Sequence, residues 1–340
     1  MTLALQFAST SMRRSNIITH TAIFLLIGTA PELNSAENAE STSKPAVARS
    51  PTKIWRDPGD TSALDLFYGA GGRSRTPYPK DTYVFIKIAI SGASPKFDVK
   101  DEHGVEWRVK LGEESRTETA ATRLLWAAGY FVDEDYFLPE LRVKDLPETF
   151  LSQVGPGARL ERRDTGYKNH GDWSWNSNPF EGTQEFDGLR VMMALLNNWD
   201  LKTSNNSIIE VDGERRYLVS DVGATFGKTG GIGDRTKGRL DDYATSKFID
   251  ETNGKEVDLT LKSRPPFLLA VDFYHYQKLA KREKVGKEIP RAHAKWLGEI
   301  LARLSEDQIR DCFRAAGFSP PEVEGYTVAV RRRIAQLNAL

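Results

Sequence analysis

Two short runs, WDLKTSNN at 199–206 and SDVGATFG at 220–227, hold the side chains with the greatest chemical capacity in this chain. Asp200 and Asn205 stand five apart with Lys202 between them, and Asp221 follows. Moving a phosphoryl group needs a carboxylate to orient the attacking hydroxyl. It also needs an amide and a second carboxylate to hold Mg2+, and a lysine to offset developing charge. All four residue types fall within the 22 residues 200–221. Taken singly, each run has a plainer reading. WDLKTSNN fits a polar helix end whose asparagines cap and turn, and Asp221-Val222-Gly223 fits a strand-end turn.

Elements must hold these residues in place, and the flanking patterns indicate which. Residues 207–219, SIIEVDGERRYLV, read as two short strands around a turn at Asp212-Gly213. Residues 187–200 read as a helix through Leu189, Met192, Met193 and Leu196, capped near Asp187, that delivers Asp200 just past its end. Upstream, 82–90, 96–100 and 105–111 are β-rich, and alternation puts Trp107, Val109 and Leu111 on one face with Arg108 and Lys110 on the other. A helix follows over 114–130, with Ser115 and Glu118 at capping-box spacing, a stripe of Ala121, Leu124, Leu125 and Ala128, and Gly129 as its stop.

A lysine on the polar face of a strand is ordinarily exposed. Here Glu118 on the next helix is able to pair with Lys110, with Glu113 and Glu114 as alternatives. Between the first two strands, the loop SGASPKF at 91–97 is small-residued at Ser91, Gly92 and Ser94. Backbone N–H groups there could approach phosphate oxygens, although such turns are also ordinary hairpin connections.

The rest of the chain frames this constellation. Residues 137–145 read as a strand pair or hinge around Pro139, and 155–182 as an irregular stretch rich in Trp, Asn and Gly. Residues 228–262 read as a charged loop, and the last 75 residues as four helices, one starting at Ser305 with Gln308 as its capping partner. The expected class is α+β, a small β-rich lobe before a larger, mainly helical one, divided 53–145 and 146–340. His170 and Asp172 lack a second histidine at ligand spacing, so the tryptophans beside them read as packing.

Composition narrows the partners. Basic and acidic residues balance at 47 each, which gives no electrostatic case for nucleic acid. Arg162-Arg163 and Arg331-Arg332-Arg333 read as solvated faces or phosphate contacts. The single Cys312 excludes an internal disulfide. At the N-terminus, Arg13 and Arg14 precede an apolar run at 21–30 and then Ser35-Ala36, the layout of a secretory signal over 1–36. That run is too short for a permanent membrane span. A polar, proline-bearing linker follows at 37–52. Export to a periplasmic or extracellular space is the expectation, with a disordered cytoplasmic extension as the alternative and Met12 as an alternative start.

The order of small-residue loop, strand lysine, helix glutamate, Asp-x-x-x-x-Asn and Asp-x-Gly resembles the atypical kinase fold, most nearly the HipA-like branch. Phosphatidylinositol kinases and secreted kinases are similar in outline. The resemblance covers roughly 80–310 and departs at Trp199, where kinases carry a polar or basic residue, and at Val222, where they carry phenylalanine. It implies that Asp200 orients the acceptor hydroxyl and that Lys202 contacts the migrating phosphoryl group. Asn205 and Asp221 would bind Mg2+ or Mn2+. Lys110, paired with Glu118, would hold the phosphates of ATP or a similar donor beneath Ser91, Gly92 and Ser94. The acceptor would be a hydroxyl on a protein, sugar or lipid. Two other functions share the pattern: a catalytically inactive kinase-like binding protein, and a nucleotidyl transferase with the nucleotide reoriented.

Overall fold

Alternation in the Lys110 strand has built a sheet with one oily and one charged face. The computed structural model describes residues 50–89, 96–151, 157–163, 166–230, 234–262 and 268–340. In its β-rich lobe six strands lie side by side in the order Asp135–Leu138, Ala158–Arg162, Glu106–Leu111, Lys96–Lys100, Thr82–Ala89 and Arg142–Lys144. Neighbours are antiparallel except for the last pair. Phe97, Val99, Trp107, Val109 and Leu160 bury one face under Leu141, Val143, Leu146 and Phe150. Lys110 and Arg159 project from the other, where Glu118 of the helix Glu114–Ala127 meets them.

The helical lobe has a separate, larger core. Leu189, Met192 and Met193 of the helix Gln184–Leu195 share that core with Leu297, Ile309, Phe313, Tyr326 and Val330 from the C-terminal helices. Those helices are Arg291–Leu301, Glu306–Ala315 and Pro320–Asn338, preceded by a break between Leu268–Val271 and Phe273–Glu283 where a single helix is expected. The capping box of Ser305 and Gln308 forms as its spacing predicts. A second box, Ser319 with Glu322, starts the last helix at Pro320. The hairpin Asn206–Val211 and Glu214–Val219 turns through Asp212 and Gly213 at φ 53° and 74°. Both residues are left-handed, as a tight two-residue turn requires.

Several expectations fail locally, some for local and some for tertiary reasons. Ser115 lies inside its helix and donates to the Lys110 carbonyl at 2.7 Å. Glu118 is drawn to the Lys110 ammonium instead of closing a capping box. Thr183, not Asp187, caps the helix before Asp200, while Asp187 binds Arg190 and His293. Ala158–Arg162 joins the first sheet although it lies beyond Asp145. Thr52–Lys53, read as linker and lobe edge, pairs with Glu214–Val219, and Ile54 and Leu66 bury in the helical-lobe core. Within 228–262 stand a helix, Leu240–Thr245, and a hairpin whose Asn253 side chain accepts from the N–H groups of Lys255 and Glu256. At Thr52–Lys53 and Ala158–Arg162 the pairing partners lie far apart in sequence and leave no local trace. The segments 1–36 and 37–49 lie outside the described residues. Among those described, no helix is long and apolar enough to cross a membrane.

Candidate active site

Lys110 sits at the centre of the candidate site and is fully buried. Its Nζ lies 2.8 Å from Glu118 Oε2, 2.7 Å from Glu114 Oε2 and 2.5 Å from Asp221 Oδ1. Burial alone would pull its pKa down. The carboxylates of Glu118, Asp221 and Glu114 outweigh that and hold the ammonium above the usual lysine range. Glu118, 1% exposed, also faces Arg159 at 3.4 Å. Of the three carboxylates that could pair with Lys110 from the helix start, Glu114 and Glu118 do so, because one helical turn puts them on the same face, while Glu113 is exposed.

The loop that carries Asp200 is held from below by a buried arginine. Arg333, on Pro320–Asn338, donates to the carbonyls of Ala194 and Leu195 and to Asn197 Oδ1 at 3.2, 2.9 and 2.8 Å. These acceptors are the orphan end of the helix Gln184–Leu195, and a cation there also suits the helix dipole. Asn197 is left-handed at φ 55° and donates to the Gly227 carbonyl at 2.7 Å, which ties the two motif segments together. The Arg331-Arg332-Arg333 run is therefore not a uniform solvated face, since its third member is a buried structural cap.

Beyond that anchor, the polar groups of 199–206 interlock. Asp200 Oδ2 lies 2.6 Å from Lys202 Nζ, and its Oδ1 lies 3.6 Å from Arg282 Nη1. Asn205 Nδ2 donates to the Asp200 carbonyl at 2.7 Å, which leaves its side-chain oxygen as the acceptor atom. The Asn205 carbonyl accepts from Ser220 N–H at 2.9 Å, so the residue before Asp221 is bonded directly to the loop.

Asp221 has left-handed backbone at φ 47°, a conformation unusual for a non-glycine residue and common at functional sites. Its Oδ1 meets Lys110, and its Oδ2 meets Lys96 at 3.1 Å. Burial would raise this carboxyl, but the two lysines hold it well below the usual carboxylate range. Gly223 lets the helix close on this segment: a Cβ there would stand 2.7 Å from Glu114 Cβ. Thr117 Oγ1 clamps the contact by donating to the Gly223 carbonyl at 2.6 Å.

Of the residues singled out from the sequence, Lys110, Glu118 and Asp221 form one ion-paired cluster, and Asp200, Lys202 and Asn205 form a second. Ser220 joins the two. Ser91, Gly92 and Ser94 lie outside the described residues. Three participants were not assigned from the sequence. Lys96 ends the small-residue loop as Pro95-Lys96, and its direct opposition to Lys110 across two strands was the missing information. Glu114 was only an alternative partner. Arg282 comes from a helix 80 residues downstream of Lys202, and no local pattern marks it. The tryptophans of 170–180 are structural: Trp173 and Trp175 are buried, and Trp173 Nε1 donates to the Leu218 carbonyl. His170 Nε2 lies 3.1 Å from Glu210 Oε2. Cys312 is buried and unpaired.

As a metal site, the donor set is two oxygens, the Asp221 carboxylate and the Asn205 side-chain carbonyl. Among the described residues no cluster of three or more His, Cys, Asp or Glu is arranged to hold an ion. Hard oxygen donors in that number fit Mg2+ or Mn2+ only in company with phosphate oxygens and water, which is how Mg2+ is ordinarily held at phosphotransfer sites.

No family model matches the chain, and no curated protein sequence matches it. Among solved structures the chain is similar to a Helicobacter pylori proinflammatory kinase, CtkA. The match has 12% identity and a TM-score of 0.44 and covers 76% of this chain and 96% of that one. A likeness so distant carries no argument about activity.

Proposed function

We propose that this protein is a metal-dependent phosphotransferase of the atypical kinase type, moving a phosphoryl group from ATP or a similar nucleotide to a hydroxyl acceptor. One observation carries the reading: a fully buried strand lysine bridges a helix glutamate and the Asp-x-Gly aspartate, at 2.8 and 2.5 Å. A buried ammonium is costly, and one bridging a strand-facing helix glutamate and a metal-type aspartate is the arrangement used to hold nucleotide phosphates.

Lys110 and Lys96 then bind the donor phosphates, with Glu118 and Glu114 holding Lys110 in place. Asp200 orients the acceptor hydroxyl, and Arg282 and Lys202 fix its carboxylate from either side. As the acceptor oxygen bonds to phosphorus and the bond to the departing nucleotide breaks, Asp200 takes the hydroxyl proton. Lys202 offsets charge on the moving group. Asp221 and Asn205 supply the ligands for Mg2+ or Mn2+, which when bound neutralises charge on the phosphate oxygens.

The test is Asp200→Asn against wild type. Metal-dependent nucleotide affinity should stay within about threefold, while transfer or autophosphorylation falls by about two to four orders of magnitude. Full transfer by Asp200→Asn would remove this carboxylate from the chemistry. Wild-type protein that binds nucleotide but transfers nothing across a broad acceptor panel would favour the inactive binding-protein alternative.

A further inference from the structure

Trp199, the residue before Asp200, holds a cation. Its indole Nε1 donates to the Thr236 carbonyl at 3.1 Å, and the Arg235 guanidinium lies 4.1 Å from the centre of its ring. A guanidinium over an indole face is attracted by the ring and keeps its full charge. Asp234 is taken by Lys228 at 2.6 Å and Lys237 by Glu114 at 2.7 Å, so those charges cancel in pairs. Arg235, Lys202 and Arg282 do not cancel. All three reach the segment 199–202, and among the described residues Asp200 is the only carboxylate that pairs with any of them. Burial lowers the Arg282 pKa, Asp200 opposes that, and the like charge of Arg235 adds to it. The Lys202 side chain is 47% exposed, so the excess of positive charge is open to solvent and attracts anions.

The excess continues outward from Arg282. On the helix Phe273–Glu283, Lys278 lies four residues before Arg282, and Tyr274 lies four before Lys278. Residues four apart on a helix share a ridge, so the ridge that meets Asp200 at Arg282 runs on to Lys278 and Tyr274. Lys278 is exposed and Tyr274 is 78% exposed. Glu283 is the single acid of this helix. From Tyr274 to Arg282 the ridge spans about 12 Å at roughly 1.5 Å per residue. An extended chain covers that distance in about four residues.

The geometry points to an acceptor that is an acidic polypeptide segment. Its hydroxyl side chain sits at Asp200, its carboxylates or phosphates lie within the next few residues against Arg235, Arg282 and Lys278, and an apolar side chain rests on Tyr274. A small hydroxylated anion would satisfy Arg235 and Arg282 but reach neither Lys278 nor Tyr274, and the length of the ridge therefore favours a polypeptide. The inference names the acceptor class of the phosphotransferase reading above and rests on that reading.

The experiment uses the intact protein with three serine peptides of equal length, acidic, neutral or basic on both sides of the serine, and with glycerol phosphate as a small hydroxylated anion. Anisotropy of labelled peptides measures binding without nucleotide, and transfer is followed with ATP and Mg2+. The acidic peptide should exceed the neutral one by about tenfold in kcat/KM, mostly through KM, since each exposed charge pair contributes roughly two- to fivefold. Glycerol phosphate should trail the acidic peptide by about tenfold or more, and high salt should shrink the acidic preference to about twofold. Arg235→Gln with Lys278→Gln should lower kcat/KM for the acidic peptide about tenfold and leave the neutral peptide within about twofold. Lys278→Glu, at an exposed position where folding is not at stake, should by itself lower acidic-peptide binding about fivefold. Equal use of the three peptides, or an acidic preference that neither variant moves, overturns the inference and leaves the phosphotransferase reading standing. Glycerol phosphate used as well as the acidic peptide overturns the polypeptide assignment. Acidic-peptide binding that both variants weaken, without transfer to any acceptor, overturns the phosphotransferase reading and keeps the basic surface. Neither selective binding nor transfer overturns both.

Discussion

Lys110→Met separates a structural ion-pair cluster from an incidental one. Methionine fills nearly the same volume in the strand, so the perturbation is loss of charge rather than a cavity. The site softens the blow. Without Lys110, Glu118 keeps Arg159 at 3.4 Å, Asp221 keeps Lys96 at 3.1 Å and Glu114 keeps Lys237 at 2.7 Å. No carboxylate is left wholly unpaired, so the cost should sit at the lower end of the range for breaking a buried pair, about 3 kcal/mol. Glu118→Gln leaves Lys110 with two carboxylates and should cost about 1–2 kcal/mol. Because both changes act on one contact, the double variant should be less destabilised than the sum by about 1–2 kcal/mol. Urea unfolding at neutral pH measures all four species, with unchanged m-values as the check that only stability moved. Added salt should leave the coupling nearly intact, since buried pairs are poorly screened. A Lys110→Met cost below about 0.5 kcal/mol, or additivity within about 0.5 kcal/mol, would refute the buried-bridge reasoning.

Gly223→Ala should destabilise by about 1–3 kcal/mol and weaken metal-dependent nucleotide binding, because the new Cβ meets Glu114 at 2.7 Å and must push Asp221's segment off the helix. Wild-type melting and binding would show that the contact yields freely. Arg333→Met takes a charged donor from the Ala194 and Leu195 carbonyls and from Asn197 Oδ1, while Ala194 keeps the Asn197 N–H and Leu195 keeps the Tyr243 hydroxyl, so stability should fall by about 1.5–3 kcal/mol and Tm by roughly 3–8 °C. A loss under about 1 kcal/mol contradicts the capping role. Burial would raise Glu114, but Lys110 and Lys237 hold it at about 2 against the usual 4.5. A depressed carboxyl contributes stability that is complete above pH 4.5 and is lost as pH falls toward 2, to a ceiling of roughly 3 kcal/mol. The stability gap between wild type and Glu114→Gln should therefore narrow below pH 4.5; a gap constant from pH 7 to pH 3 would contradict this.

Local chemistry was legible wherever it is set by neighbours in sequence. Asp212-Gly213 specifies a turn with two left-handed residues, and Ser305 with Gln308 specifies a helix start. Alternation over 105–111 places Lys110 opposite Trp107 and Val109, because a strand repeats every two residues. Asp200, Lys202 and Asn205 lie within six residues, so their mutual contacts follow from a single loop conformation. The grouping of Asp221 with Lys110 came from the order of motifs, not from any local pattern.

Tertiary structure decided the rest. Whether Lys110 is exposed or buried depends on a helix folding back over its strand, and Gly223 permits that approach by having no side chain. Lys96 reaches Asp221 only because strand register sets it opposite Lys110. Arg282 arrives at Asp200 and Arg333 at the end of the preceding helix from elements with no periodic signal for either role. The sequence by itself determined which side chains could do the chemistry and which faces they occupy, since period and turn type are properties of neighbouring residues. Pairing across long separations determined which cations each carboxylate meets, because register and packing are selected by burial of the whole core rather than by any one segment.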